Sequence, residues 1–256
     1  MEKKRLQKLL SEQGICSRRA AEDLIRAGDV LVEGKKAELG QKVTGEEKIV
    51  VKGKPIAVSK SSETLVLAWH KPLGVEVTFS TKHSDETLTA QKNFSAMKKT
   101  LGGRVIPVGR LDKDSHGLLL LTNDGELANQ LAHPRYEHPK EYRVRVNYSV
   151  AAKQVETLSN GSLDLGEKTV SPCHVEIIEP NAIKIVLREG RNRQIRRMCE
   201  AVGLEVVELL RTRVGAIALG NLLPGNFRTL NTEEIEQLHG EKFGVDSARN
   251  LLFVPL

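Results

Sequence analysis

The run Leu118–Leu121 is apolar at every position. A charged turn, GRLDKDS (109–115), precedes it and a second turn, NDG (123–125), follows it. A strand with one wet face alternates apolar and polar residues. A run with no polar position has to be covered on both faces. The chain therefore needs a sheet with this strand near its middle and other elements packed on either side. The charges just upstream, Arg110 and Asp112, then stand at the mouth of a buried strand, where a charge is costly unless it has a partner or a task.

The flanking segments fit that requirement. TLVLAWHKPLGVEVTFS (64–80) predicts a strand, a turn at Pro72 and Gly74, and a second strand. Ala90, Phe94, Met97 and Leu101 recur at helical spacing and predict one helix across 85–101. GRVIPV (103–108) restarts a strand, and NDGELANQLAHP (123–134) reads as a capped helix ended by Pro134. KEYRVRVNY (140–148) alternates, with Tyr142, Val144 and Val146 on one face and Arg143 and Arg145 on the other. IKIVLREG (183–190) is another strand. It opens into RNRQIRRMCEAVG (191–203), a helix with Ile195, Met198, Cys199 and Val202 on its buried stripe and Gly203 at its end. Strands and helices without strict alternation indicate an α+β body around one mixed, mainly antiparallel sheet with flanking helices.

The net charge of +6 is uneven: residues 1–60 hold 14 Lys/Arg against 9 Asp/Glu. A basic module in front of a near-neutral body suggests a handle for a polyanion, although a solvated basic surface would look the same. Its sequence, RLQKLLSEQGICSRRAAEDLIRAGDVLVEGKK (5–36), reads as two short helices and a hairpin. Leu6, Leu9 and Leu10 line the first helix, Gly14 stops it, and Ser17 caps the second, which Gly28 ends. Arg18 and Arg19 fall in the first turn of that second helix, where the dipole favours acids. A bound anion such as phosphate explains them. Arg5, Leu6, Leu9, Gly14, Ser17, Arg18, Ala21, Leu24, Ile25, Gly28, Val30, Val32, Gly34 and Lys35 together resemble the small alpha-L RNA-binding domain first described in a ribosomal small-subunit protein. Glu33 stands where that family usually has Asn. RNA contacts from Arg5, Arg18, Arg19 and Lys35 are what the resemblance implies. VVKGKPIAVSKSSE (50–63) supplies a last strand and a Lys/Ser-rich stretch, with the linker expected near 58–63, domains at 1–60 and 64–240 and a tail at 241–256.

Cys16, Cys173 and Cys199 form no CxxC pair, and the histidines show no ligand spacing, so neither a disulfide framework nor a metal site is indicated. The charged start lacks the apolar core of a signal peptide, and no apolar run is long enough to span a bilayer. A cytoplasmic protein without membrane contact is expected.

Read residue by residue, Asp112 is either a turn acceptor or a functional carboxylate. The run REGRNRQIRR (188–197) carries five arginines and one glutamate at a strand-to-helix junction, a density that suits an anion. Arg191 and Arg193 are expected on phosphate. Arg196, next to the buried Ile195, is expected to reach Asp112 and keep it ionised. Tyr142 is either core packing or a platform for a flat base. Three functions stay open on these residues: an enzyme acting on RNA, an RNA-binding protein without catalysis, and a metal-dependent phosphodiesterase using Asp112 and Asp114.

HKPLG (70–74), GRLDKDSHGLLLLTNDG (109–125), KEYRV (140–144) and EGRNRQIRRM (189–198) together resemble the RNA pseudouridine synthases, in the RsuA/RluB/RluF-type subgroup that modifies ribosomal RNA and carries an alpha-L domain in front. The resemblance covers roughly residues 3–238. Glu76 and the segment between Thr78 and Val105 depart from the usual pattern. The resemblance implies isomerisation of a uridine, with Asp112, Tyr142 and Arg196 catalytic and Arg110, Ile195 and Lys71 on the substrate. It implies no cofactor and no metal. It also implies ribosomal RNA as partner, 23S rather than 16S from the GRNRQIRRM run, free or in a pre-ribosomal particle. A monomer is expected, although no residue pattern reports the oligomeric state.

Overall fold

The computed structural model describes residues 3–58, 63–79, 85–166 and 169–240. The chain divides into two compact units, Met1–Thr64 and Leu65–Leu256. The expected linker falls largely on residues 59–62, which lie outside the described residues, as does the tail 241–256.

The front unit comprises β1 (Lys4–Arg5), α1 (Leu6–Glu12), α2 (Arg18–Arg26), β2 (Val30–Val32), β3 (Lys35–Lys36), β4 (Lys42–Val43), β5 (Ile49–Val51) and β6 (Lys54–Ile56). Leu6, Leu9, Leu10, Ala21 and Ile25 close over Val30, Val43 and Ile49 to make its core. The Ser17 side chain caps α2 by accepting from the Ala20 N–H at 3.2 Å. This unit holds more sheet than two helices and a hairpin: β3-β2-β5-β6 form a four-stranded sheet, and β1 pairs with β4. The β2–β3 turn places Glu33 at φ 50° and Gly34 at φ 75°, the positive pair that a two-residue hairpin prefers. Glu33 offsets the strain of that position with its carboxylate, which accepts from the Lys48 N–H at 2.6 Å.

The body opens with β7 (Val66–Lys71), α3 (Phe94–Thr100), β8 (Ile106–Pro107), β9 (His116–Thr122), α4 (Gly125–Ala132) and β10 (Lys140–Val146). It continues with α5 (Ala152–Ser159), β11 (His174–Glu179), β12 (Ala182–Leu187), α6 (Gln194–Ala201), β13 (Val206–Val214), β14 (Ile217–Ala218), β15 (Phe227–Thr229) and α7 (Thr232–Gly240). Its sheet runs β11-β12-β10-β13-β9-β7-β15, with β14 on β13 and β8 on β9. The β13–β9 pairing is parallel and the others are antiparallel. The fold is therefore α+β on a mixed, mainly antiparallel sheet. β9 lies inside it, and Leu118–Leu121 are fully buried. Leu118 and Leu120 pack under α4, while Leu119 and Leu121 pack with Trp69, Met97 and Leu101 on the other face. The Asp124 side chain caps α4, accepting from Glu126 N–H at 2.8 Å.

Two expected elements differ. The strand after Gly74 is reduced to one bridge between Glu76 and Thr87, because both edges of β7 are already paired, by β9 and β15. The helix across 85–101 is broken into a 3-10 turn, Leu88–Ala90, and α3, with Gln91 extended between them. Among the described residues no helix is long and apolar enough to cross a membrane.

Candidate active site

The turn from Asp112 to Ser115 is held through its main chain. Ser115 N–H donates to Asp112 O at 3.1 Å, and Gly74 N–H donates to Lys113 O at 2.8 Å. Arg196 donates to Asp114 O at 2.6 Å, and Lys71 donates to Ser115 O at 2.6 Å. Four consecutive carbonyls thus have donors from three different segments. The Asp112 carboxylate, by contrast, has no hydrogen bond or ion pair among the described residues. It lines a cavity of about 160 Å3 together with Arg110, Tyr142, Ile195, Lys140 and Arg211. At ~30 Å3 per water this is the room of about five waters, the scale of one flat ring.

Asp112, Tyr142, Ile195 and Arg110 meet at this cavity, as the sequence reading expects. The placement of Arg196 is a correction. Its Nε lies 3.2 Å from Asp114 Oδ2, and it also donates to Val206 O at 3.1 Å, so it grips the turn and does not pair with Asp112. Asp114 takes a second guanidinium, Arg193, at 2.8 Å. Partial burial would raise the Asp114 pKa, but the Arg193 hydrogen bond and the Arg196 charge hold it below the ordinary value. Two arginines on Asp114 also disfavour its service as a metal ligand beside Asp112.

Lys71 is likewise corrected. It is fully buried, and its ammonium donates to Pro72 O at 2.9 Å and to Ser115 O. It props the turn from beneath and does not face the cavity. Burial, only partly opposed by Asp112 and Asp114, pushes its pKa down to about 8. Arg191 pairs with Glu189 at 3.1 Å and donates to Thr169 O. Both arginines expected on phosphate, Arg191 and Arg193, are thus held on carboxylates of the chain itself. In the front unit Arg5, Arg18, Arg19 and Lys35 are exposed.

Two cavity residues escaped the sequence reading. Lys140 shares the Tyr142 face of β10. Arg211 sits opposite Tyr142 through a bulge: the register steps from Glu141↔Arg213 to Tyr142↔Arg211, leaving Thr212 as the extra residue. Such a bulge turns one stretch of a strand onto the other face, and here it brings Arg211 and Leu209 to the side of Tyr142 and Val144. The parallel neighbour of Arg211 is Gly117. A Cβ there would come within 2.4 Å of Arg211 O, at a φ of 108°, so glycine lets β9 and β13 close together. Arg211 Nε then reaches Leu118 O at 2.7 Å.

Comparison with known proteins shows the family of the chain. Residues 65–201 match the RNA pseudouridylate synthase family and residues 4–49 match the S4 domain. The chain is 38% identical over 234 residues to the dual-specificity RNA pseudouridine synthase RluF of Escherichia coli K12, covering 91% of this chain and 78% of that protein. It is 38% identical over 241 residues to the ribosomal large subunit pseudouridine synthase B of Bacillus subtilis, covering 91% and 95%. A crystal structure of a pseudouridylate synthase superposes with a TM-score of 0.63 at 28% identity, over 91% of this chain and 99% of that one. The chain belongs to the RNA pseudouridylate synthase family and carries an S4 domain at its front.

Proposed function

We propose that this enzyme converts one uridine of large-subunit (23S) ribosomal RNA to pseudouridine, with Asp112 acting on the sugar. The observation that carries the reading is a carboxylate without a partner, on a turn fixed at four carbonyls, at the mouth of a cavity the size of one base. The large-subunit assignment is supported by the B. subtilis relative's name and by the GRNRQIRRM run.

The target uridine swings out of its stack, which costs a few kcal/mol and least in a loop or bulge. Tyr142 stacks on the uracil and Ile195 lines its other side, while Arg110, exposed at the rim, fills the space the nucleotide leaves. Asp112 stands as nucleophile or proton acceptor at the sugar. The apolar wall residues Leu187, Ile195 and Leu209 limit water at the detached base. Arg196 and Lys71 act as positioning residues for the Asp112 turn. Arg5, Arg18, Arg19 and Lys35 hold the phosphate backbone, and the enzyme works in the cytoplasm as a monomer, needing no cofactor or metal.

Pseudouridine mapping of ribosomal RNA from cells lacking the protein tests this. One 23S site should disappear and return with the wild-type chain but not with Asp112→Asn. Loss of a 16S site would correct the substrate. An unchanged map would refute the proposal. A protein that only binds RNA would restore the site equally well with Asn at 112.

A further inference from the structure

Two cations in the cavity wall lack a carboxylate of their own. Lys140 faces the same side of β10 as Tyr142, and among the described residues its ammonium has one hydrogen-bond partner, His138 O at 3.2 Å. Arg211 is 3% exposed. Its Nε and NH1 donate to Leu118 O and Arg110 O, and its NH2 is buried without an acceptor. Neither forms an ion pair among the described residues. Burial, reinforced by the Arg211 charge, pushes the Lys140 pKa down to about 8. A buried cation such as Arg211, or a partly buried one such as Lys140, destabilises a fold when it has no counter-ion. Their placement makes sense if a negative charge forms between them and Asp112 during turnover.

Such a charge is intrinsic to the reaction. When the N1–C1′ bond breaks, its electron pair stays on the ring, giving a uracil anion with charge spread over N1, O2, O4 and C5. C1′ is then taken up by the Asp112 carboxylate, or the sugar gives its C2′ proton to that carboxylate; the ring carries the same charge either way. Rejoining uses the ring's electron pair at C5 to make C5–C1′, and on the addition route the C1′–O bond to Asp112 breaks as it forms, returning its electron pair to the carboxylate. The C5 proton leaves, N1 gains one, and on the elimination route C2′ regains its own. The product is an isomer, with nothing oxidised or reduced.

Resting on the synthase reading, we infer that Lys140 is a further catalytic residue: it donates a hydrogen bond to a uracil oxygen of the detached base, backed by the fixed positive charge of Arg211. A donor placed where charge develops stabilises the transition state more than the ground state. Lys140 serves only while protonated, so kcat/KM falls as pH rises through about 8.

The test uses the full chain and two RNA substrates, one with uridine and one with 5-fluorouridine at the target, whose fluorine stabilises the ring anion. Lys140→Met should slow single-turnover conversion of uridine by about 10²-fold or more, slow the consumption of 5-fluorouridine (read as loss of the starting nucleoside, since its C5 has no proton to release) clearly less, leave RNA affinity unchanged, and lose the alkaline fall. Lys140→Gln provides the same contrast if the Met variant does not fold. Equal slowing of both substrates with weakened RNA binding would make Lys140 a phosphate contact and overturn the inference. An unchanged rate would overturn it as well. A wild-type enzyme making no pseudouridine in any ribosomal RNA would instead refute the synthase reading itself.

Discussion

Arg196 holds Asp114 twice, through the carboxylate at 3.2 Å and through the main-chain oxygen at 2.6 Å, and leaves the Asp112 side chain alone. The guanidinium therefore acts on the Asp112 carboxylate through the backbone. Asp112 keeps both oxygens available while its Cα is fixed.

Asp114→Asn should show this indirect coupling. Arg193 and Arg196 would lose their shared counter-charge, half exposed at Asp114, at a cost of about 1–2 kcal/mol, between the values for exposed and buried pairs. Stability in urea should drop by that amount and kcat by roughly 10-fold, with RNA affinity within twofold. A kcat equal to wild type would show that the turn stays in place without the pair.

Lys71→Met should cost more. It leaves Pro72 O and Ser115 O without their buried donor, at ~1–3 kcal/mol for each unsatisfied group. We expect a fall in melting temperature together with a fall in kcat, measured by calorimetry and single-turnover assay. If Lys71 contacted RNA directly, affinity would fall while stability held.

Tyr142→Phe should retain base binding, whereas Tyr142→Ala should lose about 1–3 kcal/mol of stacking. Comparing the two by single-turnover kinetics against RNA concentration separates the ring from the hydroxyl. Activity in the Phe variant equal to wild type would confine the role to the ring.

Arg18→Glu with Arg19→Glu should weaken RNA binding and flatten its salt dependence, lowering the slope of log K against log salt by about 2. Titrations from low to moderate salt measure it. The two side chains are exposed at the start of α2, behind the Ser17 cap, so folding should be unaffected.

How far the sequence reached depended on how local each signal was. Leu118–Leu121 declared a doubly covered strand because burial on both faces is written in four consecutive side chains. Asp112, Tyr142 and Ile195 were found together because their motifs fix their places at strand and helix ends. The partner of Arg196 was misassigned because Asp112 and Asp114 share one turn, and spacing cannot say which carboxylate faces α6. Arg211 was missed because a bulge at Thr212 reverses the facing of its strand, and VVELLRTRV carries no mark of that. Lys71 carried a charge in its motif but no sign of its complete burial, which comes from β7 lying between β9 and β15.

The strand order of the body also sets a timetable. β9 is made early but its neighbour β13 follows some ninety residues later, and β15, which pairs with β7, later still. Pairings this distant form slowly, and domains are completed in the order the ribosome delivers them. The front unit draws its core from residues 6–58 alone, so it should be structured in a released fragment ending at residue 122 while the Asp112 turn is still protease-sensitive. Pulse proteolysis of released fragments ending at 122 and at 240 measures this; protection of the turn in the shorter fragment would contradict it. On this schedule the RNA-gripping end of the polypeptide is ready before the end that does the chemistry.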